Sequence, residues 1–472
     1  MKNRHFELIK NIFLFTMSTF IPKAISFLLV PLYTNCLSTV EYGIADIITT
    51  TVSFAVPILT LNISDAVLRF TIENKKDKRP FQIAAKTITF GTLLLFGIIL
   101  LNLIFNICSI EKRYQIFFLL QYILTAIYGV NISYLRAIDK VILLSVVSIA
   151  NTLITILMNL LLLVVVKMGL TGYLLANALG LLAANIIICT KINFAELIKG
   201  VSKKKAALEK KMFNYSIPLV ASGIAWWFNS ASDRYFVTYY HGASANGIYS
   251  VAYKIPTILQ LLQSVFSQAW LLTIYNEYDK KGGLEFVGKI YDIYNGGMCI
   301  SCAVLIILDI PIAKFLFAKN FFYAWKYVPI LLLSVVFIAN AGFFETIITL
   351  FKQSKTVAIT AVFGAIINMI LNAVLIYYIG IYGAAIATVF GYLIMWLLRI
   401  KPVMKFFHFP VNWIKHSLVY ILLVIEIFVM IQYQNYTYCI LITIIICIIN
   451  VRTIINMIYK IMRKYRKFNV AD

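Results

Sequence analysis

The chain has 472 residues, of which 61% are hydrophobic and only 13% charged, with a mean hydropathy of +0.88. A soluble chain carries roughly a quarter charged residues, so this composition excludes a soluble enzyme or binding domain. The formal net charge of +23 would point to nucleic acid in a soluble protein, but here it sits between apolar runs, which excludes that partner and reports topology instead.

A hydrocarbon core of ~30 Å needs ~20 mostly apolar residues per helix, and runs of that length predict about fourteen spans. In chain order they are 11–36, 43–70, 81–109, 115–135, 141–166, 172–190, 213–240, 247–274, 286–313, 326–349, 356–379, 383–400, 414–432 and 438–459. The first run is too long for a signal-peptide core and reads as an uncleaved span. The connectors alternate between basic and nearly uncharged. The basic set is 2–10, 75–79, 136–140, 191–211, 280–289, 352–355, 399–415 and 460–467. It holds about 30 Lys and Arg against about 6 on the other side, so the positive-inside rule puts both termini in the cytoplasm.

The expected fold is an all-α integral membrane protein. Residues 1–190 form an N-terminal six-helix lobe, 191–211 a cytoplasmic basic connector, 212–400 a C-terminal six-helix lobe, and 401–472 two extra helices with a basic tail. Three landmarks suggest that the lobes are copies. Gly169 to Gly180 and Gly380 to Gly391 both read G-x-x-G-x7-G, about 210 residues apart. Tyr42-Gly43-Ile44 pairs with Asn246-Gly247-Ile248, and Ile21-Pro22 with Ile217-Pro218. Six helices return the chain to its starting side, so the copies form a parallel repeat with a substrate path between them.

Ionisable groups within spans cost on the order of 2.5–3.5 kcal/mol near the bilayer centre. Lys23 falls near the midplane of the first span, where a lysine does not easily reach water. Arg234 and Lys254 fall in the outer half of the seventh and eighth spans. Arg69 ends the second span four residues after Asp65, on the same helix face, so it reads equally as an anion ligand, a snorkelling side chain or the partner of Asp65. Asp233 adjoins Arg234 but is expected to point elsewhere on the helix. Staged cations of this kind suit an anion such as a phosphate. Asp46, Asp292, Asp309, Glu345 and Glu426 are further buried candidates for proton or cation coupling. Pro22, Pro31, Pro57, Pro218 and Pro256 predict kinks in the same spans that carry the cations. Trp226, Trp227 and Phe228 beside Arg234 read either as interface aromatics or as a platform for a sugar. Cys299-x-x-Cys302 lies in an apolar run with no second pair and reads as membrane packing rather than a metal or redox site. No cofactor is expected.

Several stretches resemble bacterial polysaccharide repeat-unit flippases (Wzx-type, serving O-antigen and capsule) of the multidrug/oligosaccharidyl-lipid/polysaccharide exporter superfamily. They are Ile21-Pro-Lys-Ala-Ile-Ser-Phe-Leu-Leu-Val-Pro31, Glu41-Tyr-Gly-Ile44 and Ala66-Val-Leu-Arg-Phe70. In the second half they are Ser216-Ile-Pro218, Ser232-Asp-Arg234 and Gly247-Ile-Tyr-Ser-Val-Ala-Tyr-Lys254. The resemblance implies alternating-access translocation of an undecaprenyl-pyrophosphate-linked oligosaccharide across the bacterial cytoplasmic membrane. It gives Lys23, Arg69, Arg234 and Lys254 an anion-binding role in a cationic central cavity, with Asp65 and Asp233 in support, and names a polysaccharide polymerase and other assembly proteins as partners. A lipid II flippase and a drug exporter of the same superfamily are rival readings. A membrane polymerase or ligase is a rival from the enzyme class, opposed by the short outer connectors and the lack of a nucleophile-base pair.

Overall fold

The structure, a computed structural model, describes residues 24–105, 112–192, 205–277, 283–406 and 411–450. Every regular element among them is helical. Ten of these helices are long and apolar enough to cross a membrane, joined by shorter apolar helices at Ala24–Cys36 and Tyr436–Asn450. The chain divides into two compact units, Met1–Ala231 with Gly242–Gly247, and Ser232–His241 with Ile248–Asp472.

The first unit runs through α1 (Val30–Cys36), α2 (Thr39–Leu59), α3 (Ile63–Glu73), α4 (Arg79–Phe105), α5 (Lys112–Ala137), α6 (Val141–Asn159) and α7 (Gly169–Lys191) into α8 (Lys205–Ala252). A capping box starts α2: the Ser38 hydroxyl accepts from the Glu41 amide at 3.2 Å, and the Glu41 carboxylate accepts from the Ser38 amide at 2.8 Å. These bonds satisfy two amides that the first turn leaves without partners. The other Glu41 oxygen accepts from the Leu170 amide at 3.2 Å, which fastens the start of α2 to the start of α7.

The expected second span is broken into α2 and α3 at Thr60-Leu61-Asn62, where Leu61 and Asn62 take left-handed backbone angles. Pro57 lies inside α2, ahead of the break, and the groups freed at the break find local partners. The Asn62 amide donates to the Pro57 carbonyl at 2.8 Å and the Thr60 hydroxyl to the Val56 carbonyl at 2.7 Å. Beyond the break, Ile63, Ala66 and Val67 line one face of α3 and are fully buried against Ile83, Ala84, Leu135, Ala184, Ile188 and Met212.

Residues 242–247 belong to the first unit although the stretches of α8 that flank them, 232–241 and 248–252, belong to the second. Gly242 interrupts α8 with a φ of 81°, and the following turn crosses the start of α2. The crossing is reciprocal. A Cβ on Gly43 would lie 1.9 Å from the Ala243 carbonyl oxygen, and one on Gly247 would lie 2.0 Å from that of Thr39. Hydroxyls of Thr39 and Ser244 meet at 2.7 Å, and the Asn246 amide donates to the Gly43 carbonyl at 3.1 Å.

The second unit continues through α9 (Pro256–Glu277), α10 (Gly283–Leu316), α11 (Val328–Leu350), α12 (Ser354–Ile379), α13 (Ile381–Phe406) and α14 (Trp413–Tyr433), followed by α15 (Tyr436–Asn450). The expected seventh span ends at Gly242, whose non-helical backbone divides α8 where the sequence places a connector. The expected eighth span is broken a second time at residues 253–255 ahead of Pro256, whose ring excludes the preceding turn of helix. Helix α11 is the axis of the unit. Leu331, Leu332, Leu333, Ser334, Val335 and Val336 are all buried in succession, as expected of a helix covered on every side.

Arg399, assigned above to a basic connector, is instead a buried residue of α13. Its guanidinium donates to the Thr360 hydroxyl at 3.1 Å, the Ala341 carbonyl at 2.9 Å and the Glu345 carboxylate at 2.8 Å, tying α11, α12 and α13 together. The paired glycine stretches have matching roles in the two units. Gly169 and Gly380 both take positive φ, while Gly180 closes on Thr155 of α6 and Gly391 on Asn368 of α12.

A methyl group at Gly43 meets backbone rather than a movable side chain, so Gly43→Ala is expected to cost about 1–3 kcal/mol by forced separation of the two turns. Its unfolding midpoint in detergent should fall, whereas Gly129→Ala on α5, where nothing lies within 4 Å of the added carbon, should not lower it. Equal midpoints for the two variants would show that the crossing does not constrain the fold.

Candidate functional site

Of the cations singled out in the sequence, Lys23 lies outside the described residues. Arg69 stands on α3 with its side chain 56% exposed. The expected Asp65–Arg69 pair is not formed. Asp65 sits in the first turn of α3 and accepts from the Asn62 side-chain amide at 2.7 Å. Arg69 points the other way along the helix, with its Nε 3.8 Å from Glu73 and its guanidinium 4.6 Å above the Tyr215 ring. Asp65 and Glu73 both lie four residues from Arg69 on the same helix face, and the Asn62 side-chain amide already engages Asp65.

In the second unit, Asp233 and Arg234 lie ahead of the Gly242 interruption of α8, and Lys254 lies in the turn after Ala252. Asp233 is buried and does not point away from Arg234 as its sequence position suggested. One carboxylate oxygen accepts from the Arg234 backbone amide at 3.0 Å and lies 3.6 Å from the Arg234 guanidinium. The long arginine side chain bends back far enough to undo the angular separation of neighbours on a helix. The other oxygen accepts from the Tyr249 hydroxyl at 2.5 Å and from the Tyr253 hydroxyl at 3.0 Å. The Arg234 guanidinium also lies 5.0 Å from the centre of the Tyr253 ring, a cation–π contact.

This arrangement decides which charge is available. Asp233 and Arg234 compensate each other, and Lys254 is a separate positive charge. Lys254 lies in the turn between α8 and Pro256, half-buried, and its carbonyl accepts from the Thr257 hydroxyl at 2.5 Å. Among the described residues its ammonium makes no hydrogen bond or ion pair. A half-buried ammonium without an acidic partner can receive an anion, because an incoming negative charge meets a cation that no neighbour has neutralised.

Two residues of this cluster were not picked out from sequence. Tyr249 and Tyr253 stand four apart within Gly247-Ile-Tyr-Ser-Val-Ala-Tyr-Lys254, and that spacing puts both hydroxyls on one helix face, but it does not say what they meet. Trp227, expected as a possible sugar platform, has a packing role: its indole donates to the Thr50 carbonyl at 3.2 Å and its ring lies 4.4 Å from Phe54. Trp226 is exposed. Cys299 and Cys302 are fully buried side by side on α10. No group of three or more His, Cys, Asp or Glu among the described residues is placed to hold a metal ion.

Removing the Tyr249 hydroxyl leaves a buried carboxylate short of a charge-assisted bond, a loss of about 1.5–3 kcal/mol. Tyr249→Phe is therefore expected to lower the thermal unfolding midpoint more than Tyr253→Phe, whose bond is longer and only partly buried.

Comparison with known proteins gives the fold and geometry a family. Residues 8–272 match the family described as polysaccharide biosynthesis protein. The probable low-salt glycan biosynthesis flippase Agl15 of Haloferax volcanii is 24% identical over 219 residues, and the alignment spans about half of that relative, 45% of each chain. Among solved structures, the lipid II flippase MurJ in an inward closed conformation superimposes with a TM-score of 0.71 at 18% identity, covering 95% of this chain and 100% of that one. An inward-facing multidrug resistance MATE family transporter of the MOP superfamily superimposes with a TM-score of 0.62 at 12% identity, covering 85% and 98%. At these identities the two structures establish the fold, the many-helix membrane architecture read from the apolar runs. The chain belongs to the polysaccharide biosynthesis protein family.

Proposed function

We propose that this protein is a flippase that carries undecaprenyl-pyrophosphate-linked oligosaccharide repeat units across the bacterial cytoplasmic membrane for surface polysaccharide synthesis, such as O-antigen or capsule. The observation that carries the reading is Lys254, a half-buried cation in the turn after Ala252 with no ion pair among the described residues, in the same unit as the compensated Asp233–Arg234 pair. Family membership and the similarity to a probable glycan flippase support the same cargo class.

The chemistry sets the need. A pyrophosphate in hydrocarbon loses its hydration, and no lipid group replaces it. A chain of wet cations within the membrane lowers that cost while the polyprenyl tail stays in lipid. In this reading Lys254 and Arg234 engage the head group, Asp233 keeps Arg234 from holding it too tightly, and Lys23 and Arg69 extend the path. Arg69, exposed and engaged with Glu73 and Tyr215, has the smallest part. The protein works by alternating access, with both ends of the chain and the 191–211 connector on the cytoplasmic side. A polysaccharide polymerase on the outer side receives the product.

Two measurements test this. Lys254→Ala and Arg234→Ala, expressed at wild-type level in a strain lacking its own copy, are expected to reduce surface polysaccharide at least tenfold, and Arg69→Ala to reduce it less. Normal export in the first two would remove the anion path from these residues. For orientation, a single cysteine placed in the 191–211 connector of a variant lacking the native seven should resist a membrane-impermeant thiol reagent in intact cells and react after permeabilisation. Labelling of intact cells would invert the topology.

A further inference from the structure

The second unit also carries a groove between the start of α12 and the end of α13. It encloses about 790 Å³, and its walls include Gln353, Thr356, Leu397, Leu398, Lys401 and Lys405. The sequence places the two lysines in a connector, but α13 runs through both of them to Phe406. Helical spacing therefore stacks Leu397, Lys401 and Lys405 on one face, each about 6 Å beyond the last along the axis. Leu397 and Leu398 are 47% and 41% exposed, whereas Arg399 is buried, so this face looks away from the unit while the arginine points into it.

The groove changes character along its length. The leucines make an apolar floor, and the lysines make a basic mouth toward the end of the helix. Helix α13 has 26 residues, about 39 Å of length, which exceeds a hydrocarbon core of ~30 Å. The end that carries the lysines therefore stands at the level of the lipid head groups. On the α12 wall, the Thr356 hydroxyl donates to the Gln353 side-chain oxygen at 3.2 Å, which sets a hydroxyl and an amide beside the lysines.

The positive charge at the mouth is not balanced. No Asp or Glu occurs between Glu345 and Glu426, so neither α12 nor α13 carries an acid, and Glu345 is engaged by Arg399 at 2.8 Å. Among the described residues Lys401 and Lys405 make no hydrogen bond or ion pair. Lys352 and Lys355, next to the groove in sequence, are exposed as well.

We propose that this groove binds one anionic phospholipid of the surrounding leaflet, with its phosphate at Lys401 and Lys405 and the first methylenes of its chains on Leu397 and Leu398. Basic pockets between membrane helices suit lipid phosphates, and lysine serves them as a point charge. An inorganic ion would use the mouth alone and a plain hydrocarbon the floor alone. A zwitterionic head group would bring its own cation against the lysines. The groove faces the bilayer, so its occupant is part of the leaflet around it and remains there. The site is independent of the transport reading and holds its lipid whatever the cargo. In the topology proposed above, it opens onto the cytoplasmic leaflet.

The test uses the full-length protein in phosphatidylcholine vesicles containing a little phosphatidylglycerol with a photoreactive diazirine near its acyl ester. Light should attach the probe within residues 397–404. Added unlabelled phosphatidylglycerol should displace it, whereas inorganic phosphate and undecaprenyl phosphate should not. Lys401→Gln combined with Lys405→Gln should reduce the labelling about fivefold or more, the effect of losing a lysine beside a lipid phosphate. Lys140→Gln combined with Lys191→Gln, the same loss of charge at exposed residues elsewhere, should not reduce it. The proposal is overturned if residues 397–404 stay unlabelled, if the two double variants label alike, or if a phosphatidylcholine probe labels equally well. It is also overturned if undecaprenyl phosphate displaces the probe, which would give the groove to a polyprenyl lipid, or if inorganic phosphate does, which would leave an ion site only. Should the first double variant not fold, the comparison of the two probes on the wild-type protein decides.

Discussion

A charge set among apolar helices has to be balanced by atoms within its own reach, because neither lipid nor bulk water is there to do it. The second unit meets this constraint in three ways. Asp233 is enclosed by two tyrosine hydroxyls and the arginine next to it. Arg399 spreads its positive charge over a hydroxyl, a carbonyl and a carboxylate on three helices. Asp292 faces an imidazole whose other side is also engaged. Lys254 stands outside the pattern.

The backbone obeys the same rule. A helix inside a membrane can break only where its freed amides and carbonyls find partners. At Thr60-Leu61-Asn62 the partners are the preceding turn and the Thr60 hydroxyl. At residues 253–255 the Thr257 hydroxyl returns to the Lys254 carbonyl. Pro256 excludes the turn of helix ahead of it, and the main-chain and hydroxyl bonds at both breaks explain why the interruptions are tolerated. Lys254 thus owes its position to a helix break, not to a place along a continuous helix.

The apolar runs carried the fold class in plain view, because burial in lipid is written residue by residue at helical length. Kinks were legible as prolines, though the breaks fell several residues from where a continuous helix was drawn, since the neighbouring hydroxyl and amide side chains set the exact place. Pairings were less legible. Asp65, Arg69 and Glu73 are all spaced for pairing on one helix, and only the engagement of Asp65 by Asn62 decides between them. Arg399 looked like part of a charged connector because nothing local in the sequence announces Glu345 and Thr360, which come from other helices. Tyr249 and Tyr253 escaped for the same reason: their partner Asp233 lies across an interruption of α8 at Gly242. Contacts between neighbours in sequence can be read by spacing, whereas those made by folding require the fold.

The crossing of Gly43 with Gly247 is a junction built out of bare main chain, and it behaves accordingly. Its closeness comes from what is missing, so little oily surface would become wet if the two turns moved apart. Thr39, Ser244 and Asn246, which stitch it together, all carry groups that solvent can serve equally well. Such a seam holds tightly while shut, yet parts at small expense, a combination that a bulky, greasy interlock does not offer.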